Sequence, residues 1–174
     1  MTTPTLSTSR LSLRPLTKST VRQIAWLEDP EVVKFSEQRH KRHNLKTQLR
    51  YVDTFTGTKS HIWAIHLAAT GEHIGNLSCV HDFNNDVGEI GILIGEKKCW
   101  GLGMGAEAWK EACNFLLDPL RGAIRKLEAG CMRENVAMVK IIEGAGFKFE
   151  GERLGHFLVD GNRPVGMMLY GRVR

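Results

Sequence analysis

The 174-residue sequence predicts a mixed α/β (α+β) fold, a mostly antiparallel central sheet with helices on both faces. Three observations carry that expectation. Alternating apolar segments separated by short polar turns fill 61–94. The apolar period then lengthens to a helical one after a glycine-rich turn at 101–105. A further β pattern follows that helix, and a strand–helix–strand unit implies one parallel pair joined by a right-handed crossover.

The elements follow in order. Arg10 to Arg14 alternates with period two, Leu11 and Leu13 inward, and stops at Pro15. Thr17 or Ser19 can cap a helix carrying Val21, Ile24 and Leu27, which Asp29-Pro30 breaks. Pro30 suits the first turn of a short second helix through Val32, Val33 and Phe35. The polar segment Ser36 to His43 follows, and Asn44 can cap a helix with Leu45, Leu49, Val52 and Phe55. His61 to Leu67, His73 to His81 and Val87 to Ile94 form an antiparallel meander. A helix opens at Gly101 to Ala106 and ends at Asp118-Pro119. Ile124 to Met132 is a strand, and Asn135 caps a helix ended by Gly144 to Gly146. Phe147 to Arg153 is a strand, and His156 to Val159 with Pro164 to Gly171 makes a last hairpin. The order is β-αα-β-β-β-α-β-α-β-β, in a single domain over 1–174.

Composition narrows the function classes. Hydrophobic residues at 42% and charged residues at 25% suffice for a core and argue against a disordered chain. No apolar run approaches membrane-spanning length, and Met1 to Pro15 lacks a signal-peptide pattern, so a cytoplasmic protein without a membrane partner is expected. Net charge is +5, but the basic residues are dispersed, and the densest patch, Arg39 to Arg42, is short for a nucleic-acid tract. No nucleic-acid partner is expected. The four cysteines form no CxxC pair and no zinc spacing, so reduced packed thiols and no metal are expected.

The most informative segment is Trp100-Gly101-Leu102-Gly103-Met104-Gly105-Ala106, between a strand and a helix. Glycines there let backbone amides approach an anion, and the helix N-terminus adds partial positive charge. A phosphate or pyrophosphate seat is one reading, and a tight turn built for packing is the other. The Gly-Lys-Ser/Thr of a Walker loop is absent, and the Gly-x-Gly-x-Gly spacing departs from the dinucleotide fingerprint.

Four segments together resemble the GCN5-related N-acetyltransferases, and within them the bacterial ribosomal-protein Nα-acetyltransferase branch. They are His61 to Ile65 with Gly71 to Asn76, Gly88 to Gly95, Trp100 to Ala108, and Asn135 to Met138 leading to Glu143 through Gly151. The resemblance runs from about Leu11 to Gly171. It implies acetyl-CoA as cosubstrate and a primary amine as acceptor, a protein N-terminus or a small amine such as an amino sugar. It places the pyrophosphate on the amides of Gly101, Leu102, Gly103, Met104 and Gly105 at the head of the helix begun by Ala106. It lays the pantetheine arm along Ile92, Leu93 and Ile94, with Asn135 at the arm or thioester and a backbone amide near Leu93 as donor to the carbonyl. Trp100 stands where many members carry Arg or Gln, which leaves the pyrophosphate to backbone groups. Family members are often monomers or homodimers.

The attacking amine must lose a proton, and Glu89, in an apolar and glycine-rich strand, is the candidate base, with a raised pKa if buried. The alternative is a strand glutamate facing solvent or paired with an arginine. His81 and Asp82, at the end of the preceding strand, are further candidates. The family's usual acid positions hold Ile142 and Met138, which leaves water or Tyr170 to protonate the thiolate. The resemblance also makes the early helices and last hairpin walls of the acceptor site, which puts Glu37, Arg39 and His40 in a wall suited to an acidic acceptor or simply solvated. Two other classes compete: a catalytically silent CoA-binding module, and a basic RNA-associated protein whose binding would depend steeply on salt.

Overall fold

The computed structural model describes residues 3–18 and 24–174. Its strands are β1 (Leu6–Ser7), β2 (Leu11–Pro15), β3 (His61–Leu67), β4 (His73–Asp82), β5 (Val87–Ile94), β6 (Lys126–Met132), β7 (Lys148–Val159) and β8 (Arg163–Val173). Its α-helices are α1 (Ile24–Glu28), α2 (Pro30–Val33), α3 (Leu45–Asp53), α4 (Met104–Leu117) and α5 (Val136–Gly144), with 3₁₀ turns at Glu37–His40 and Lys97–Cys99. The strands form one eight-stranded sheet in the order β1-β2-β3-β4-β5-β6-β8-β7. Among the described residues only β5 and β6 pair in parallel, as the helical crossover α4 between them requires.

Strand alternation divides the core between the two faces. Leu11, Leu13, Trp63, Ile65, Leu77, Ile90 and Leu127 are buried with α4 and α5, where Trp109, Leu116 and Ile142 are fully covered. On the opposite face a smaller cluster packs Ile62 and Ala64 against Val52 and Phe55. Asn44 caps α3 with a capping box: its Oδ1 accepts from the Thr47 amide at 2.9 Å, and its own amide donates to the Thr47 hydroxyl at 3.0 Å.

Several expectations shift. β1 was not foreseen, being only two residues long. The last segments form two strands rather than three, because β7 continues past Arg153 with a register shift where a break was expected. β6 begins at Lys126 rather than Ile124, since the Ile124 amide bonds back to the Leu116 carbonyl at 2.9 Å. Ser19 and Val21, part of the expected first helix, lie outside the described residues. The four cysteines are free and buried, and burial pushes the thiols of Cys79 and Cys113 up to about 12 and that of Cys131 to about 11. No helix among the described residues is long and apolar enough to cross a membrane.

Candidate active site

The parallel pairing of β5 and β6 covers only Val87↔Lys126, Gly88↔Leu127 and Glu89↔Glu128, after which the ladder stops. β5 continues to Ile94 on its other partner, β4, and β6 to Met132 on β8, so a gap opens between two otherwise paired strands. Gly88 explains the close approach at the vertex. A Cβ there would lie 2.7 Å from the Cys79 sulfur and 3.0 Å from Leu127.

Register decides which backbone groups face this gap. The Gly95 amide donates to the Ile74 carbonyl at 2.9 Å, so hydrogen-bonded positions alternate back along β5 through Leu93 and Gly91. The Leu93 amide and carbonyl therefore turn toward Asn76 of β4, away from the gap. Of the amides near Leu93 that were expected to serve the cosubstrate, Leu93's own is therefore turned to β4. Ile92 and Ile94 alternate the other way, but the Ile94 carbonyl accepts from the Trp100 indole Nε1 at 2.8 Å. Within the Ile92–Ile94 stretch, the groups left to pair with a bound arm are both groups of Ile92 and the amide of Ile94. Across the gap, the Arg133 amide bonds the Gly166 carbonyl at 2.9 Å, and the same alternation turns Gly130 and Met132 toward the opening.

At the C-terminal end of β5 the glycine turn serves two purposes. Gly101 (φ +71°) and Gly103 (φ +78°) occupy left-handed backbone that side chains rarely adopt. Gly103 is the N-cap of the 14-residue α4 and brings no side chain to it. The amides of Met104, Gly105 and Ala106, in the first turn of α4, thus lack helical partners and point outward. Gly105 lies inside the helix, where a Cβ would come within 3.3 Å of Ile141 and 3.5 Å of Ile94. The turn is also tied down by a residue that sequence reasoning missed. Arg10 donates to the Leu102 carbonyl at 3.0 Å and forms an ion pair with Glu107 at 2.6 Å, while Thr8 hydrogen bonds the same carboxylate. Burial pushes the Glu107 carboxyl up, but the bonds from Thr8 and Arg10 outweigh it and leave it lowered. Nothing local in the sequence couples Arg10 to a turn so far along the chain.

Asn135 sits at the other side of the gap, just past β6, as N-cap of α5. Its Oδ1 accepts from the Met138 amide at 3.1 Å, which leaves the side-chain NH₂ to donate elsewhere.

Glu89 is exposed on the sheet face opposite α4 and has no ion-pair partner among the described residues, so of the two environments open to it the solvent-facing one is found. Glu128, beside it, pairs with Lys126 at 2.9 Å. Two residues further along each strand, Gly91 and Gly130 are exposed and bring no side chain over the opening. Tyr170 is fully buried on the α5 side, its hydroxyl bonded to Glu143 at 3.3 Å, so it does not reach this exposed face.

The predicted substrate residues separate into two groups. His81 lines a cavity of about 600 Å3 with Glu89, Glu128 and Arg125, and its Nε2 pairs with Asp86 at 2.9 Å. Arg39 lines a second cavity, of about 570 Å3, between α1, α2, the following basic loop and the β7–β8 hairpin. It bonds the Leu158 carbonyl at 3.3 Å and pairs with the exposed Glu37 at 2.9 Å. His40 is exposed and lines neither cavity. No cluster of three or more potential metal ligands occurs among the described residues.

A splayed parallel pair ending beside a glycine-built helix start offers open strand edges to an extended ligand and free amides to an anion. The family profile described as an acetyltransferase (GNAT) domain matches residues 10–148, and the chain belongs to this family of acetyltransferases. The fold is similar to a RimL ribosomal L7/L12 α-N-protein acetyltransferase solved with coenzyme A (TM-score 0.85, 16% identity, covering 98% of each chain). It is also similar to a Salmonella typhimurium acetyltransferase that modifies the N-terminal serine of ribosomal protein L7/L12 (TM-score 0.78, 16% identity, 98% of this chain and 99% of that one). A third similar structure is the microcin C7 self-immunity acetyltransferase MccE with acetyl-CoA and AMP (TM-score 0.78, 17% identity, 96% and 94%). At these identities the likeness is one of fold. No curated protein sequence matches this chain.

Proposed function

We propose that this protein transfers the acetyl group of acetyl-CoA to a primary amine by direct attack within a ternary complex. The observation that carries the reading is the gap between β5 and β6, which leads to the unpartnered first-turn amides of α4. Acetyl-CoA supplies the acetyl group as a thioester. The amides of Met104, Gly105 and Ala106 would hold its pyrophosphate with the positive end of the α4 dipole. The edge groups of Ile92 and Ile94 would pair with the amide-bearing arm, as an added strand would. Asn135 would donate through its free NH₂.

Chemistry would then proceed on the open face. Glu89, exposed beside the vertex, accepts the amine proton directly or through one water. The developing negative charge on the acetyl oxygen needs an amide that faces the gap, and Ile92 or Ile94 qualifies where Leu93 does not. With Tyr170 held by Glu143, water entering between Gly91 and Gly130 returns the proton to the leaving sulfur.

Isothermal titration with acetyl-CoA, with free CoA and NAD as comparisons, tests the cosubstrate half. Tight binding of acetyl-CoA and CoA but not NAD is expected. Gly103→Val should abolish that binding in a protein whose circular dichroism stays native, because a β-branched side chain is strained at φ +78° and its Cβ would lie 3.6 Å from the Arg10 guanidinium that braces the turn. Unchanged affinity in the folded variant would remove the turn from the site.

A further inference from the structure

We propose that the acceptor amine is received directly over Gly91, between the Glu89 carboxylate and the Ser78 hydroxyl, which Tyr51 holds in place. This rests on the acetyltransferase reading above and adds Ser78 and Tyr51 to its machinery.

Gly91 is a strand glycine that the fold does not require. Glycine weakens a strand interior, and it marks a bulge, a crowded backbone contact or the close approach of a ligand. No bulge is present, since the β4–β5 register runs unbroken from Gly75↔Ile94 to Asp82↔Val87. The φ of Gly91 is not positive. Crowding is absent too. A Cβ on Gly88 would lie 2.7 Å from the Cys79 sulfur, and one on Gly75 would lie 2.4 Å from the Leu93 carbonyl oxygen. Among the described residues, a Cβ on Gly91 would meet only the Ser78 Oγ, at 3.9 Å. Close approach of a ligand is the reason left.

The space over Gly91 lies where the chemistry must occur. Gly91 immediately precedes Ile92, whose amide and carbonyl are left to pair with the arm. An arm entering from the α4 turn runs back along β5, so its reactive end passes Ile92 toward Gly91. Polar side chains face the same space. Ser78 pairs with Gly91 and Val80 with Glu89, so Ser78, Gly91 and Glu89 share the open sheet face. Ser78 and Glu89 are thus diagonal neighbours about 7–8 Å apart, a span that one nitrogen or one water fills with hydrogen bonds of about 2.9 Å on each side. Tyr51 reaches over from α3. Its hydroxyl and that of Ser78 share a hydrogen bond, and its half-exposed ring packs edge-on against Phe55 at 5.3 Å. One hydroxyl hydrogen is used between them, which leaves oxygen lone pairs for a ligand.

These groups match an ammonium. It donates to the Glu89 carboxylate and to the Ser78 oxygen. Glu89 takes one proton, directly or through a water, while Ser78 keeps a second N–H and so aims the freed lone pair at the thioester. The C–N bond forms, the C–S bond breaks with its electron pair on sulfur, and the third amine proton passes through water to that sulfur. Ser78 touches the substrate, and Tyr51 acts through Ser78 as a positioning residue.

The test is CoA release by the full chain from acetyl-CoA with ethylamine, putrescine or a pentapeptide bearing a free N-terminal serine, alongside calorimetry with acetyl-CoA. At least one amine is turned over, and the fastest serves as the probe. Gly91→Val should keep a wild-type or higher urea midpoint and an acetyl-CoA Kd within about twofold, yet lower probe turnover about a hundredfold, because its side chain fills the space where the amine sits. Ser78→Ala should lower kcat/KM about tenfold, whereas Ser78→Thr, which keeps the hydroxyl, restores most of it. Tyr51→Phe should cost about as much in the wild type and nothing further in Ser78→Ala, a coupling that a packing role would not produce. Wild-type turnover in folded Gly91→Val or in Ser78→Ala, additive losses for Tyr51→Phe and Ser78→Ala, or turnover of no amine by a chain that binds acetyl-CoA overturns this inference and leaves the cosubstrate half standing. Absence of acetyl-CoA binding overturns the acetyltransferase reading and this inference with it.

Discussion

Glu89 illustrates how a residue type is legible in sequence while its environment is not. Its apolar and glycine-rich strand left both a buried and a solvent-facing carboxylate open, and the alternation of β5 turns it onto the exposed face. A solvated carboxylate next to the opening can relay a proton but gains little from desolvation. Glu89→Gln should therefore lower kcat by about a hundredfold, the lower end for general-base loss, with acetyl-CoA affinity unchanged. Steady-state kinetics with calorimetry checks this, and wild-type turnover would exclude Glu89 from proton transfer. Tyr170 shows the converse. A tyrosine near the chain end was a reasonable acid, yet burial first, then the Glu143 carboxylate, raises its phenol pKa and keeps it in the core.

At the scale of elements, the local signals were strong where the chemistry is local. The capping box of Asn44 and Thr47, the Asn135 cap, the limits of β3 and β5, and the glycine turn all follow from residues close in sequence. The attachment of α1 does not. Gly95 is in contact with the Trp26 indole, and any Cβ at that position would overlap it. Gly95→Ala should displace Trp26 and loosen the α1–α2 wall. The expected result is an acceptor KM raised about fivefold, a stability loss of about 1–3 kcal/mol, and an acetyl-CoA Kd within twofold of wild type. Paired kinetics and urea denaturation separate these effects. An unchanged acceptor KM would detach α1 from the acceptor site.

Over the whole molecule, three histidines link stability to pH. Burial holds the His61 imidazole down at about 4, with His81 adding to the effect, and burial likewise lowers His66 and His73. His61 stacks on Trp63 and meets the edge of Phe115, so it folds as a neutral ring. Below the unfolded value of 6.5 the unfolded chain takes up protons that the folded chain refuses. Stability should be fully present above pH 6.5 and decline as pH falls toward about 4. Urea midpoints across that range should show this slope, and His61→Phe should flatten it. Equal slopes in both proteins would assign the acid sensitivity to other groups.

The sequence by itself determined the mixed sheet, the crossover between β5 and β6, the glycine turn and the family, because periodicity, caps and turn glycines act over a few residues. Tertiary structure alone decided which amides along β5 face the gap, that the Trp100 indole occupies the Ile94 carbonyl, and that Arg10 braces the turn. Each of these depends on strand register or on partners distant in the chain, and a register shift of one residue would reverse every one of the β5 assignments.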